Sequence, residues 1–176
     1  MFFKYIFVER RLLIWSLVFF VLLLLWNSTG LFFEDGLTEL VAGLAFEVIR
    51  NFQKENVCLY SDWLEINGDR CNIWSIWSNK YGIRIGAGCN GLAILLLYFW
   101  FILIQGGYSV WRKLKYVVIG FAVLTLSNSL RLVALFYLSV IPTFWFEIVH
   151  KWVFQGIMYI LMFGLWFLFL KEKKRI

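Results

Sequence analysis

Proline occurs once in the 176 residues, histidine once and cysteine three times. With one proline, helices can run long without interruption. One histidine and three scattered cysteines, Cys58, Cys71 and Cys89, offer no metal-ligand spacing, so neither a metal nor any other cofactor is expected. No Cys-x-x-Cys pair supports a dithiol redox centre, and no Gly-x-Ser-x-Gly supports a serine nucleophile. Ser/Gly linkers, low-complexity tracts and internal repeats are missing too, which makes residues 1–176 a single domain. Acidic residues are scarce, 11 against 17 lysines and arginines. The basic residues cluster at the ends of apolar segments rather than in one patch, which argues against a nucleic-acid partner.

What the chain has in abundance is apolar surface. It is 62% hydrophobic and 21% aromatic, with a mean hydropathy of +0.77. A soluble domain cannot bury that much, so an integral membrane protein is expected. Four segments approach the roughly 20 residues a spanning helix needs, at about 12–33, 86–105, 116–141 and 150–170. The fold expected is an all-α four-transmembrane-helix bundle with an outer segment over about 34–85. A cleaved signal peptide is the alternative for the first segment, since Arg10-Arg11 precedes Leu12–Trp26. No small-x-small site follows in Asn27-Ser28-Thr29, so an uncleaved helix is favoured.

Charge sets the orientation. Lys4, Arg10, Arg11, Arg112, Lys113, Lys115, Lys171, Lys173, Lys174 and Arg175 fall on one side against Glu9 and Glu172, a net +8. The other side sums to −3. The positive-inside rule then puts both termini in the cytoplasm, as expected of a multi-pass protein of the bacterial inner membrane. The 34–85 segment and the connection at 142–149 face the periplasm or exterior.

Within that outer segment, Leu37, Leu40, Val41, Leu44, Val48, Ile49 and Phe52 recur at helical spacing. They predict an amphipathic helix lying on the membrane or capping the bundle. Two β-prone runs, Val57–Glu65 and Arg70–Trp77, flank Asn67-Gly68, a hairpin signal. That turn sets Cys71 opposite Leu64, so Cys58 and Cys71 are too far apart along the strands for a disulfide. Ile83-Arg84-Ile85 is a candidate third strand leading to Cys89.

Three residues carry candidate chemistry. Arg131 lies inside the third apolar segment, where an arginine costs roughly 2.5–3.5 kcal/mol on insertion scales and so marks function. It is about ten residues, or roughly 15 Å, from the expected outer end of its helix. Asn128 precedes it by one turn on the same face. Cys89, in Gly86-Ala87-Gly88-Cys89-Asn90-Gly91, sits where the second segment begins, and a helix N-terminus there favours a thiolate. Asn90 and Gly91 offer amides toward an oxyanion, or Asn90 serves as a cap. His150 opens the fourth segment and supplies an imidazole for proton transfer. The orientation brings Cys89 and His150 to one membrane edge, with Arg131 in the same half.

In these residues the chain resembles the exosortase/archaeosortase family. The likeness rests on Cys89-Asn90-Gly91 at a helix start, Asn128–Arg131 in the next helix and His150 at the start of the following one. It covers roughly residues 83–170 and is most like the F-type exosortases of Bacteroidetes; Asn90 stands where many members have serine. The resemblance implies a membrane-embedded cysteine transpeptidase or protease. Its partners would be secreted proteins with a C-terminal sorting signal made of a motif, a transmembrane helix and a basic tail. Cys89 would be the nucleophile, His150 the acid–base and Arg131 the group that stabilises the oxyanion or positions the substrate carbonyl, with membrane lipid around the site and a surface acceptor receiving the product. The rival readings are a non-enzymatic membrane assembly or accessory protein, with Arg131 gripping a partner helix, and a thiol oxidoreductase.

Overall fold

A computed structural model describes residues 31–53, 56–66 and 69–172. It is mostly helical with one small antiparallel sheet. In chain order come α1 (Leu31–Phe52), β1 (Cys58–Ile66), β2 (Asp69–Trp77) and β3 (Gly82–Ile85). A 3₁₀ turn at Ala87–Cys89 leads into α2 (Leu92–Ile104) and α3 (Val110–Leu138). The last helix, α4 (Thr143–Lys171), is α-helical except for a π-helical segment at Val149–Val153.

The sheet is the meander β1-β2-β3. Leu64 pairs with Cys71, the register expected from the Asn67-Gly68 turn, and Cys58 pairs with Trp77. That leaves the two cysteines six positions out of step, and Cys58 is a free thiol. Ile83–Ile85 is a third strand, pairing with Trp74–Ile76, so the expected hairpin is completed as a three-stranded sheet.

One apolar cluster joins α1, this sheet and the end of α3, through Val41, Ala45, Ile49, Ile76, Ile85, Leu135 and Phe136. The backbone N–H of Gly82 donates to Ser139 Oγ (3.2 Å), tying β3 to the end of α3. The expected outer helix is present as α1, but its buried stripe is shifted. Thr38, Val41, Ala42, Ala45 and Ile49 face inward, whereas Leu40, Leu44 and Phe52 are exposed. Size explains the shift. Small alanines let the α1 backbone lie close against α3 and β2, which larger leucines at the contact would hold apart.

The second apolar cluster holds the helices together at the opposite end. Tyr98 and Ile102 of α2, Leu124 of α3 and Met158, Met162 and Phe169 of α4 are buried in it. Gly120 is required there, because a Cβ would run into the Tyr98 ring. The Tyr98 hydroxyl donates to the Tyr116 carbonyl (2.9 Å), fixing α2 against α3.

Helix α3 and α4 have 29 residues each and are long and apolar enough to cross a membrane. Much of their apolar surface is not covered by the rest of the chain. In α4 only 17% of the most apolar window is buried, and Ile160 is 72% exposed. Of the other two expected spans, one lies almost wholly outside the described residues and one is a shorter helix than expected. The one at 12–33 lies outside the described residues apart from its last three, which form the first turn of α1. The one at 86–105 is a helix of 13 residues, about 20 Å long against a hydrocarbon core of roughly 30 Å. Its start moves to Leu92 because Gly91 takes the left-handed conformation (φ 77°), which a right-handed helix cannot include.

Two further boundaries move. The segment expected at 116–141 is helical from Val110, where the Ser109 hydroxyl accepts from the Arg112 N–H (3.4 Å), and it ends at Leu138. The segment expected at 150–170 begins at Thr143, directly after Pro142, so residues 143–149 are helix rather than connection. Proline suits that position because its missing N–H falls where a helix has no internal acceptor.

Candidate active site

The site forms where three segments meet: the turn into α2, the last turns of α3 and the first turns of α4. Asn128 and Arg131 lie on α3 between the two apolar clusters, and both are buried, at 1% and 8% exposure. The third helix ends at Leu138, so Arg131 is seven residues from that end, about 10 Å rather than the 15 Å expected.

Arg131 presents its planar fork to two partners. Nη1 donates to Asn128 Oδ1 (3.2 Å) and Nη2 donates to His150 Nε2 (3.0 Å). Guanidinium has no lone pair to offer, so in this contact Nε2 is the unprotonated ring nitrogen and the proton sits on Nδ1. Arg131 Nε is buried without a hydrogen-bond partner.

Cys89 is half-buried and packs against the cluster of α1 and the sheet. Its Sγ lies 3.9 Å from His150 Nε2. Asn128 sets its position from behind, with Nδ2 donating to the Cys89 carbonyl (2.9 Å). A Cβ on Gly91 would come within 3.1 Å of the Asn128 side chain, so that glycine serves both the positive φ and the close approach. A single hydrogen-bonded line therefore runs from the Cys89 backbone through Asn128 and Arg131 to His150, whose imidazole returns to the Cys89 sulfur.

His150 occupies the π-helical segment of α4, where the Phe154 N–H reaches back to the Val149 carbonyl. It does not open the helix, as expected from the sequence, but lies two turns inside it. The wider turn re-aims the side chains around it, a use of π segments common at functional sites. The Phe146 ring stacks on the imidazole with an interplanar angle of 12° and a centroid separation of 6.0 Å.

Two sequence expectations change here. Cys89 closes a 3₁₀ turn and is separated from α2 by Asn90 and the left-handed Gly91, so the helix N-terminus does not begin at the thiol. Asn90 faces α1 instead of the site. Its Oδ1 accepts from the Leu92 N–H (3.0 Å), and its Nδ2 donates to Thr38 Oγ1 (3.2 Å) and the Glu34 carbonyl (3.5 Å). Its side chain is a structural cap that fastens the Cys89 turn to α1, the second of the two roles the sequence left open for it. Replacing Asn90 by alanine is expected to cost about 1–3 kcal/mol, because the part-buried Leu92 N–H loses its side-chain acceptor and the buried Thr38 hydroxyl loses its donor. Unfolding in detergent measures this, and an unchanged midpoint would disprove the capping role.

Thr38 and Phe146 were not anticipated. Thr38 donates to the Glu34 carbonyl (2.6 Å) while receiving Asn90. Its signal in the sequence was an uncharged hydroxyl residue one turn ahead of Val41 and Ala42. Phe146 lay in a stretch read as a connection and gave no signal of its own.

Beside Arg131, a cavity of ≈ 220 Å³ opens between α3 and α4, lined by Leu130, Phe154, Ile157 and Met158 among others. Among the described residues no cluster of three or more His, Cys, Asp or Glu side chains could hold a metal. No protein-family model, curated protein or solved structure matches the chain.

Proposed function

We propose that this chain is a membrane-embedded cysteine transpeptidase or protease acting on secreted proteins with a C-terminal sorting signal. The observation that carries the reading is the meeting of Cys89 Sγ, His150 Nε2 and Arg131 Nη2 around one imidazole nitrogen. Nucleophile, proton carrier and fixed cation are the parts of covalent acyl transfer. Four spans, cytoplasmic termini and a site at the outer face of a bacterial inner membrane complete the proposal, supported by the +8 and −3 division of charge.

At rest the Arg131 Nη2–H occupies the lone pair of His150 Nε2. A substrate carbonyl arriving through the apolar cavity beside Arg131 competes for that donor. As the guanidinium turns to the carbonyl oxygen, Nε2 is freed to take the proton from the Cys89 thiol. The Sγ–C bond forms and the carbonyl electrons move to oxygen, where Arg131 stabilises the negative charge. Collapse breaks the C–N bond, and His150 returns its proton to the departing amine. A thioester remains on Cys89. An amine on a surface acceptor, or water, adds to it, and the Cys89 thiolate leaves and recovers a proton through His150.

The accessory-protein reading has Arg131 grip a partner helix; against it, both Nη bonds of Arg131 run to Asn128 and His150, and the same His150 nitrogen lies 3.9 Å from the Cys89 sulfur, a juxtaposition that a gripping arginine does not need. The experiment that tests the proposal traps the thioester. Cells expressing a precursor with a tagged, truncated sorting signal are expected to yield a hydroxylamine-labile adduct on Cys89, detected by mass spectrometry. Precursor cleavage that persists with no adduct, even under rapid acid quench, would remove the covalent mechanism.

A further inference from the structure

Cys89 and His150 mark one end of the seam between α3 and α4; the opposite end has a site of different chemistry. There a cavity of ≈ 470 Å³ opens between the first turns of α3 and the last turns of α4. Its walls are apolar where Ile119, Leu165 and Leu168 line it, and Lys115 and Lys171 stand at its rim. Both lysines are exposed.

The charges here do not cancel. Glu172 is the acid of the cavity, and the Tyr116 hydroxyl beside it, with Lys115 and Arg112 nearby, holds its carboxyl below the usual range. One carboxylate thus faces Lys115, Lys171 and Arg112. Lys113 is committed elsewhere, its Nζ donating to the Leu103 carbonyl at the end of α2 (2.7 Å). In sequence, Lys173, Lys174 and Arg175 follow directly. Positive charge above an apolar cleft between two membrane-length helices matches a phospholipid, whose acyl chains occupy the cleft while its phosphate meets the cations.

We propose that this cleft binds an anionic glycerophospholipid, with its phosphate between Lys115 and Lys171 and one acyl chain along Ile119, Leu165 and Leu168. The lipid joins the first turns of α3 to the last turns of α4. It thereby braces the seam whose other end sets Arg131 against His150. The proposal rests on α3 and α4 crossing the membrane and is independent of the chemistry at Cys89.

The test uses the full chain purified from bilayers of equal phosphatidylglycerol and phosphatidylcholine, with retained lipid read by native mass spectrometry. The wild type is expected to retain phosphatidylglycerol about tenfold over phosphatidylcholine, given the usual pull of two lysines at a membrane surface. The Lys115→Ala/Lys171→Ala double variant falls to parity. Lys80→Ala/Arg84→Ala removes the same charge from exposed positions at the other end and keeps the preference. Parity in the wild type, or equal loss in both double variants, overturns the site. Displacement of the lipid by millimolar inorganic phosphate would also overturn it, making this a free-phosphate site. Loss of the membrane-crossing premise shows separately, as release of the chain from membranes by alkaline carbonate.

Discussion

Cys89→Ala is expected to leave precursor uncleaved, with processing reduced by roughly 10⁵-fold, while the protein still accumulates in the membrane. The magnitude follows from removing the proposed nucleophilic atom, whose bond to the substrate alanine cannot make. Alanine is smaller than cysteine at a half-buried position, so the fold should tolerate it. The backbone carbonyl of residue 89, which receives Asn128, is retained. The matched control is Cys58→Ala. Cys58 begins β1, is exposed and pairs with Trp77, away from the imidazole, and its loss should leave processing unchanged. The measurement is the ratio of precursor to mature product on immunoblots of pulse-labelled cells. Normal processing by Cys89→Ala would end the nucleophile assignment. Loss in Cys58→Ala alone would favour the redox reading instead.

The architecture was most legible where a local rule has a single solution. Asn67-Gly68 between β-prone runs specifies a two-residue turn, and Leu64 pairs with Cys71 as that turn requires. Helix ends were harder. Hydropathy finds the part of a helix an apolar solvent would accept, not the part that is helical. So hydropathy starts the last helix at His150, although Pro142-Thr143 signals a helix start and Glu147 and Lys151 form an i,i+4 ion pair on its first turns (3.0 Å). In α1 the pattern of large apolar residues is offset from the buried face and shares only part of it, Val41 and Ile49. Packing against a sheet selected Ala42 and Ala45, whose weight in any hydropathy count is small.

Of the site, residue identities were legible and orientations were not. A lone arginine in an apolar helix is costly enough to announce itself, and Asn128 one turn earlier comes with it. Nothing in the spacing of Cys89 and Asn90 told which would face His150. The turn itself decides this: the 3₁₀ turn ends at Cys89, and Asn90 and the left-handed Gly91 lead on into α2, with the thiol facing α4 and the Asn90 amide facing Thr38. The π segment around His150 was equally hidden, since its sequence, Val-His-Lys-Trp-Val, carries no breaker.

Arg131→Lys separates the proposed role of the guanidinium from that of its charge. Lysine keeps the positive charge and can reach into the same space, so insertion and fold should survive. An ammonium is a point donor, however, and lacks the planar fork that reaches Asn128 and His150 at once. Processing is expected to fall by roughly 10²–10³-fold, the usual cost of losing an oxyanion donor. The loss should appear in kcat more than in KM, because the contact to the carbonyl oxygen strengthens only as charge develops there. Arg131→Ala should lose at least as much, and it also leaves Asn128 Oδ1 without its partner. Asn128→Ala keeps Arg131 but frees its Nη1 and the Cys89 carbonyl together, so a smaller loss, near tenfold, is expected of a positioning residue (about 1.4 kcal/mol). The order of losses is the discriminating result. If Arg131→Lys processes at the wild-type rate while Arg131→Ala does not, charge alone suffices, and the directed donor assigned to the guanidinium is wrong.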